Sequence, residues 1–329
     1  MVAPMNPTDD DGRPTREPMW VRTRSGMPMT GVPVGTPART PDFLMIGAAK
    51  TATTSIAKTL AAQQDVGFCR FKEPHFLSVP AFYEGLGLPW YEGLYAETRD
   101  EQVKGEGSTS YSNALYAEYA AERASRHYPE AKIVYVLREP VARTESECIQ
   151  LLTYADNTLD GLGLPREGDA LLDTLTERRL ELGVDPVSTS CYIDVLETWE
   201  RHFPRERIKV LFFEDLRADY EGVVADLIEF LGLPPRPTPP VHANKTADSH
   251  DQRKLMTASA RLNALPGAAL AKKVLPRSVR RRVLSAATDR TPRERLELSG
   301  ERKEALAERF RPYNARLAER LGRDLPGWS

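Results

Sequence analysis

The sequence predicts an α/β fold, a parallel sheet with helices on both faces, and three observations carry that prediction. Phe43-Leu44-Met45-Ile46, Ile133-Val134-Tyr135-Val136-Leu137 and Ile208-Lys209-Val210-Leu211-Phe212-Phe213 are short apolar runs of the kind that form strands buried on both faces. Stretches with apolar residues at helical spacing lie between them. Small or charged residues cluster just after the first two runs, at Gly47 to Ser55 and Arg138 to Ser146. Ligands of such sheets sit outside the carboxyl ends of the strands, where both clusters fall.

In chain order, residues 1–40 mix Pro, Gly, Arg, Asp and Met without a period of 2 or 3.6, which predicts a flexible arm ahead of one domain over 41–329. After the first strand, Thr53-Thr54-Ser55 is placed to cap a helix whose apolar positions are Ile56, Leu60 and Ala61. Shorter strands are expected near Val66 to Phe71 and Val103 to Glu106, and a helix from about Asn113 to His127. Pro140 suits the first turn of a helix after the Tyr135 strand. Another helix, Tyr192 to His202, leads into the Ile208 strand. Beyond Pro234 come a Pro-rich connection, a polar loop from His242 to Arg253, a basic stretch and a final helix from Gly300 to Leu321.

Composition narrows the function. The chain has 329 residues, 41% hydrophobic and 28% charged, enough for a sizeable core. Its 45 basic and 47 acidic side chains leave a net charge of -2, so no global field draws nucleic acid or an anionic membrane, and neither is expected as a partner. Cys69, Cys148 and Cys191 are too few and scattered for a disulfide framework or a zinc site. No signal-like apolar region opens the chain and no run reaches the ~18 residues of a membrane span, which predicts a cytoplasmic protein. Oligomeric state is not readable.

Three clusters carry chemistry. Gly47-Ala48-Ala49-Lys50-Thr51-Ala52-Thr53-Thr54-Ser55 is a small-residue loop entering a helix. Outward N–H groups at a helix start, small side chains and one lysine suit an anion. The competing reading is a capping threonine beside a solvated lysine. The spacing is not G-x-x-x-x-G-K-[ST], since Lys50 follows Gly47 by three positions. In the second cluster, Arg138 ends a strand and Ser146 lies about two turns into a helix. Arginine's planar fork suits phosphate, yet Arg138 could equally pair with Glu139 or another carboxylate. The third cluster, Lys72-Glu73-Pro74-His75-Phe76-Leu77, sets a carboxylate, an imidazole and an ammonium beside aromatic bulk. It offers a general base, or a surface pair of Glu73 with Lys72 or Arg70 and a packed His75.

Together these segments resemble the sulfotransferases that use 3′-phosphoadenylyl sulfate (PAPS), especially bacterial relatives of the glycosaminoglycan and heparan sulfate sulfotransferases. The resemblance runs from about Pro41 to Ser329. It includes Ser190-Cys191-Tyr192, Leu196, Trp199, Phe203-Pro204, Phe213-Glu214-Asp215-Leu216, Asn244-Lys245-Thr246 and Tyr313 to Arg323. Trp199 reads as core and Asp215 as a helix or turn cap.

The resemblance implies a P-loop-like three-layer fold and transfer of a sulfuryl group from PAPS by in-line displacement, leaving 3′-phosphoadenosine 5′-phosphate, with no metal. It places Lys50, Thr51, Ala52, Thr53, Thr54 and Ser55 at the 5′-phosphosulfate, and Arg138 and Ser146 at the 3′-phosphate. Glu73 becomes the expected base, His75 the second candidate, and Lys50 the stabiliser of leaving-group charge. Lys72, Phe76 and Ser108 are expected on the acceptor side. Two departures stand out: Ala52 where many members have glycine, and Ser108, in a stretch like the family's Glu-Lys-Thr-Pro-x-Tyr, where some eukaryotic members have lysine.

A lid over the nucleotide is expected within 242–254, with Lys245, Arg253 and Lys254 as its cations. Lys272-Lys273 and Arg280-Arg281-Arg282 read as a solvated helix face or as a contact for an acidic acceptor. The expected acceptor is a soluble small molecule of natural-product (secondary-metabolism) or glycan type, selected by variable loops around Phe82 to Tyr95 and Thr153 to Asp185. The rival readings are a P-loop-type nucleotide-dependent kinase, for which no convincing magnesium ligand is found, and a non-catalytic nucleotide-binding scaffold.

Overall fold

In a computed structural model, residues 39–100, 102–158, 162–234 and 297–328 are described. The N-terminal arm, the lid segment and the basic run expected above lie outside the described residues, apart from Arg39 and Thr40.

Strands β1 (Phe43–Gly47), β2 (Val66–Phe68), β3 (Val103–Gly107), β4 (Lys132–Leu137) and β5 (Ile208–Phe212) form an all-parallel sheet in the order β2-β3-β1-β4-β5. β1 lies at its centre and is buried throughout, which is why its sequence is a continuous apolar run. Side chains alternate across the sheet. Leu44, Ile46, Ile133, Tyr135 and Leu137 join one core with Trp199 and Phe203, while Phe43, Met45, Val134 and Val136 join the other with Ile56, Leu60, Val224 and Leu227. Helices on both faces complete the three layers. β2 stops short of Phe71 because the Arg70 N–H turns away to the Leu94 carbonyl.

The helices are α1 (Thr53–Ala61), α2 (Pro80–Gly93), α3 (Ala117–His127), α4 (Pro140–Thr158), α5 (Gly168–Glu177), α6 (Arg179–Leu182), α7 (Pro186–Ser190), α8 (Tyr192–Glu200), α9 (Phe213–Ala218), α10 (Tyr220–Phe230) and α11 (Gly300–Leu321). α11 docks on α8 through Arg316 to Asp194 and Glu197 and Arg320 to Glu200. Trp328 then packs on Tyr192 and Phe212. Asp215 lies in the first turn of α9 and pairs with Arg323, and Trp199 is fully buried.

Both stretches expected as loops need correction, since 153–185 carries the end of α4 and helices α5 and α6. Residues 82–95 are not a variable loop: Pro80 starts α2, which kinks at Gly87 two residues before Pro89, and Phe82, Trp90, Tyr91 and Tyr95 are buried. Among the described residues no helix is long and apolar enough to cross a membrane.

β1 and β4 are neighbours whose following connections run in opposite directions, β1 toward β2 and β4 toward β5. The crevice at their carboxyl ends is therefore the topological switch point, the place where such sheets bind ligands.

Candidate active site

The loop leaving β1 is held by contacts on both sides. The Ala48 N–H donates to the Val136 carbonyl at 2.7 Å, tying the loop to β4. Gly47 has φ 138°, a conformation that strains any residue with a Cβ, and a Cβ there would lie 2.1 Å from Ser112 Oγ, so that side chain would have to move as well. Lys50 and Ala52 follow with φ 72° and 71°.

Ala52 is the cap residue of α1 and supplies no side-chain acceptor, which corrects the capping reading of Thr53 and Thr54. Thr51 turns inward and donates its hydroxyl to the Ala48 carbonyl at 2.8 Å. The Ser55 and Ile56 amides already bond back to the Ala52 carbonyl. Among the described residues no backbone carbonyl takes up the Thr53 and Thr54 amides, the arrangement a helix start presents to an anion. Left-handed backbone costs a residue with a Cβ roughly 1–2 kcal/mol, which explains why glycine suits the Ala52 position.

Arg138 comes from the end of β4 and reaches the same loop, donating Nη1–H to the Lys50 carbonyl at 3.2 Å. Its guanidinium lies 4.9 Å from the centre of the Phe213 ring. The expected competitor is occupied elsewhere: Glu139 accepts from the Val141 and Ala142 amides at 2.8 and 2.7 Å, capping α4 with its own side chain. Glu214 accepts from the Glu139 N–H at 2.9 Å. Among the described residues no carboxylate lies within ion-pair distance of Arg138, and burial pulls its pKa below the ordinary arginine value. Ser146 sits half-buried on α4. Arg143, between them, is structural: fully buried, it pairs with Glu147 and donates to Ser190 Oγ and the Pro186 carbonyl.

The segment after β2 also has unusual backbone, with φ 63° at Glu73 and 56° at His75. Lys50, Ala52, Glu73 and His75 are the non-glycine residues of positive φ among those described, and all four lie in two loops at the carboxyl edge of the sheet. Strain of this kind collects at working sites. Lys72 pairs with one oxygen of Glu73, as the surface-pair reading expected, and His75 Nε2 lies 3.8 Å from the other. The Glu73 side chain is 16% exposed and that of His75 2%. The His75 N–H donates to Ser108 Oγ at 3.0 Å, and ring Nδ1 lies 2.7 Å from Ser110 Oγ.

Two residues expected to touch the acceptor are interior. Phe76 is fully buried and stacks on Tyr91 at 4.7 Å, and Ser108 is fully buried between Glu106 and His75. Counted along the stretch from Glu106 to Tyr111, the place of the family's lysine falls on Gly107, with Ser108 at the hydroxyl position that follows.

Sequence reasoning missed Glu106. It is the next-to-last residue of β3, fully buried, and accepts from Ser108 Oγ at 2.5 Å, from Tyr91 Oη at 2.8 Å and from Tyr111 Oη. No cation among the described residues pairs with it. Burial raises its pKa to about 7, the charge of Glu73 adds to that rise, and the three hydroxyls oppose it. A glutamate flanked by glycines at the end of a central strand was the available signal.

The arrangement joins an anion-ready helix start, an arginine with no ion-pair partner among the described residues and a carboxylate with an imidazole beside it along one edge of the sheet. A depression of about 540 Å³ lies at the opposite edge, lined by Asp42, Lys104, Tyr128 and Lys132 among others. Lys104 there pairs with Asp42, and none of the residues singled out above lines it.

Comparison with known proteins bears on the family and the fold. The family description "Sulfotransferase domain" matches residues 40–255. Over 195 residues the chain is 30% identical to human heparan sulfate glucosamine 3-O-sulfotransferase 3B1, covering 59% of this chain and 46% of that protein. Over 297 residues it is 29% identical to human heparan sulfate glucosamine 3-O-sulfotransferase 6, covering 88% and 74%. The matches span about half the length of several such relatives. A crystal structure of a sulfotransferase from Alicyclobacillus acidocaldarius is similar with a TM-score of 0.59 at 25% identity, covering 88% of this chain and 98% of that one.

Proposed function

The chain belongs to the sulfotransferase family, and from that premise we propose that it moves a sulfuryl group from PAPS to a hydroxyl or amine of a small-molecule or glycan-type acceptor. The observation that carries the proposal is the meeting of Arg138, unpaired with any described carboxylate, and the Lys50 loop at the switch point. One phosphate-binding group suits many nucleotides. Two suit a nucleotide with phosphates at both ends.

PAPS supplies an activated sulfuryl group on its 5′-phosphate. The Thr53 and Thr54 amides hold that end, with Thr51, Ala52 and Ser55 shaping the loop and first turn around it, while Arg138 and Ser146 hold the 3′-phosphate. Glu73 takes the proton of the acceptor as its oxygen or nitrogen bonds to sulfur. The bond from sulfur to the bridging oxygen breaks, its electron pair staying on the phosphate, and Lys50 offsets that charge. Glu73 sits in left-handed backbone with φ 63° just after β2, and Lys72 pairs with one of its oxygens.

The relatives' names point first to glucosamine-containing glycans as acceptors to try. Incubation with radiosulfur-labelled PAPS and separate pools of glucosamine oligosaccharides, phenols and amines tests the proposal. Label is expected in one of these pools without added magnesium. Phosphate transfer from ATP with magnesium, and no transfer from PAPS, would overturn it in favour of a kinase.

A further inference from the structure

His75 is enclosed by hydroxyl groups whose donor directions can be worked out one by one. Ser78 Oγ lies 3.1 Å from the His75 carbonyl, which also accepts from the Val79 N–H at 3.1 Å, and the one assignment of protons that makes all three contacts of the cluster hydrogen bonds has Ser78 giving its single proton to that carbonyl. Ser110 Oγ lies 2.6 Å from Ser78 Oγ, and with the Ser78 proton committed, Ser110 is the donor of that pair. Its own proton is then spent. Ser110 Oγ also lies 2.7 Å from His75 Nδ1, and the proton in that contact must come from the imidazole. The ring closes as Nδ1–H to Ser110, Ser110 to Ser78, and Ser78 to the His75 carbonyl. All three residues are buried, with exposures of 2% for His75, 0% for Ser78 and 3% for Ser110, so bulk water does not compete.

We infer that Ser78 and Ser110 are positioning residues that lock His75 in its Nδ1–H tautomer, so that Nε2 faces Glu73 as a proton acceptor. A neutral imidazole protonated on Nδ1 carries its lone pair on Nε2, and Nε2 lies 3.8 Å from Glu73 Oε2. Lys72 pairs with the other oxygen, Oε1. Glu106 faces the same loop from β3 through Ser108, whose oxygen accepts from the His75 N–H. The lock therefore holds the ring through Nδ1, and Ser108 holds its backbone.

The consequence is a second station for the proton. After Glu73 has taken the acceptor's proton, the proton passes from the Glu73 oxygen to Nε2, the carboxylate is restored, and the imidazolium keeps its Nδ1–H bond to Ser110. The distance must shorten for this step, as contacts in ligand-free sites commonly do when substrates bind. This role rests on Glu73 acting as the base of sulfuryl transfer. The tautomer does not.

The test is long-range ¹H–¹⁵N correlation on the full chain with ¹⁵N-labelled histidine, which separates the two neutral tautomers by their nitrogen shifts. The chain has 5 histidines, and the signals lost in His75→Gln identify the ring. Measured at about pH 8, above the ordinary imidazole pKa of about 6.5, wild-type His75 is expected to be the Nδ1–H tautomer. In Ser78→Ala the Ser110 proton is released for donation to Nδ1, and the ring is expected to switch to Nε2–H. Ser110→Thr keeps a hydroxyl and is expected to keep Nδ1–H.

An Nε2–H ring or an imidazolium in the wild type overturns the inference without any variant. An unchanged tautomer in folded Ser78→Ala overturns it as well. Turnover separates this result from the functional reading. If Nδ1–H is found and PAPS is neither bound nor consumed, the sulfotransferase function falls and the lock stands. If PAPS is consumed, Ser78→Ala should lower kcat by about tenfold with little change in the KM for PAPS, since the step it affects is proton transfer.

Discussion

The two halves of the candidate site are built differently. The donor half, the β1–α1 loop with Arg138, uses backbone amides and a guanidinium, and its parts lie within a few residues of two strand ends. The base half links Glu73 and His75 to Glu106, Ser108 and Ser110 across 33 to 35 positions of sequence. Its groups are acids and hydroxyls in a water-poor interior, where each one's charge depends on the others. The donor half should therefore tolerate changes to the base half, while the base half should respond to single atoms and to pH.

The largest effect expected is that of Glu73→Gln. Removing a positioned base costs about 10²- to 10⁴-fold in turnover. Adenosine 3′,5′-bisphosphate affinity should stay within about twofold of wild type, because the residues placed at the nucleotide lie in the other half. A parallel loss of nucleotide binding, measured by calorimetry, would show that the halves are not separate.

Glu106 gives the next effect, on stability. Burial raises its carboxyl from 4.5 to about 7, so between those values the folded chain binds a proton that the unfolded chain has released. Its contribution is complete below about pH 4.5 and is lost as pH rises through about 7. Denaturant titrations at pH 5 and pH 8 should show wild type losing on the order of 3 kcal/mol relative to Glu106→Gln, whose amide does not titrate. Parallel stability curves for the two proteins would contradict the buried-acid assignment.

The smallest effect lies in the donor half. Ala52→Gly removes the left-handed penalty and gives some of it back as chain entropy, for a net gain of about 1 kcal/mol in unfolding free energy. A loss of stability would mean that residue 52 does not hold the left-handed conformation.

This contrast also marks how far the sequence was readable. β1, β4 and β5 were legible because strands covered on both faces are continuous apolar runs, and α11 because its helical spacing ends at Gly322. α2 was not, since Gly85, Gly87 and Pro89 interrupt its pattern and only the aromatic cluster with Phe76 makes it helical. α5 to α7 are short, and α5 and α7 begin on side-chain caps from Glu167 and Asp185, which leaves little periodicity to read.

At the site, Lys50 and Arg138 were visible in local motifs, and the structure places them against each other. The capping role offered to Thr53 and Thr54 failed because a positive φ at an alanine leaves no mark in sequence. Glu106 was invisible for a related reason: its altered acidity is created by Tyr91, Tyr111 and Ser108, and by burial that only the packed sheet provides. Phe76 and Ser108 were expected on the acceptor side and are fully buried, since residue type does not report which way a loop folds.

Calorimetric titration of the chain with adenosine 3′,5′-bisphosphate, beside ATP and 5′-AMP and without magnesium, tests the central claim most directly. The bisphosphate is expected to bind in preference to both, and Arg138→Ala should weaken it about 10- to 100-fold, the worth of one charge-assisted contact, leaving 5′-AMP nearly unaffected. Equal binding of all three nucleotides, or an ATP preference that appears only with magnesium, would contradict it.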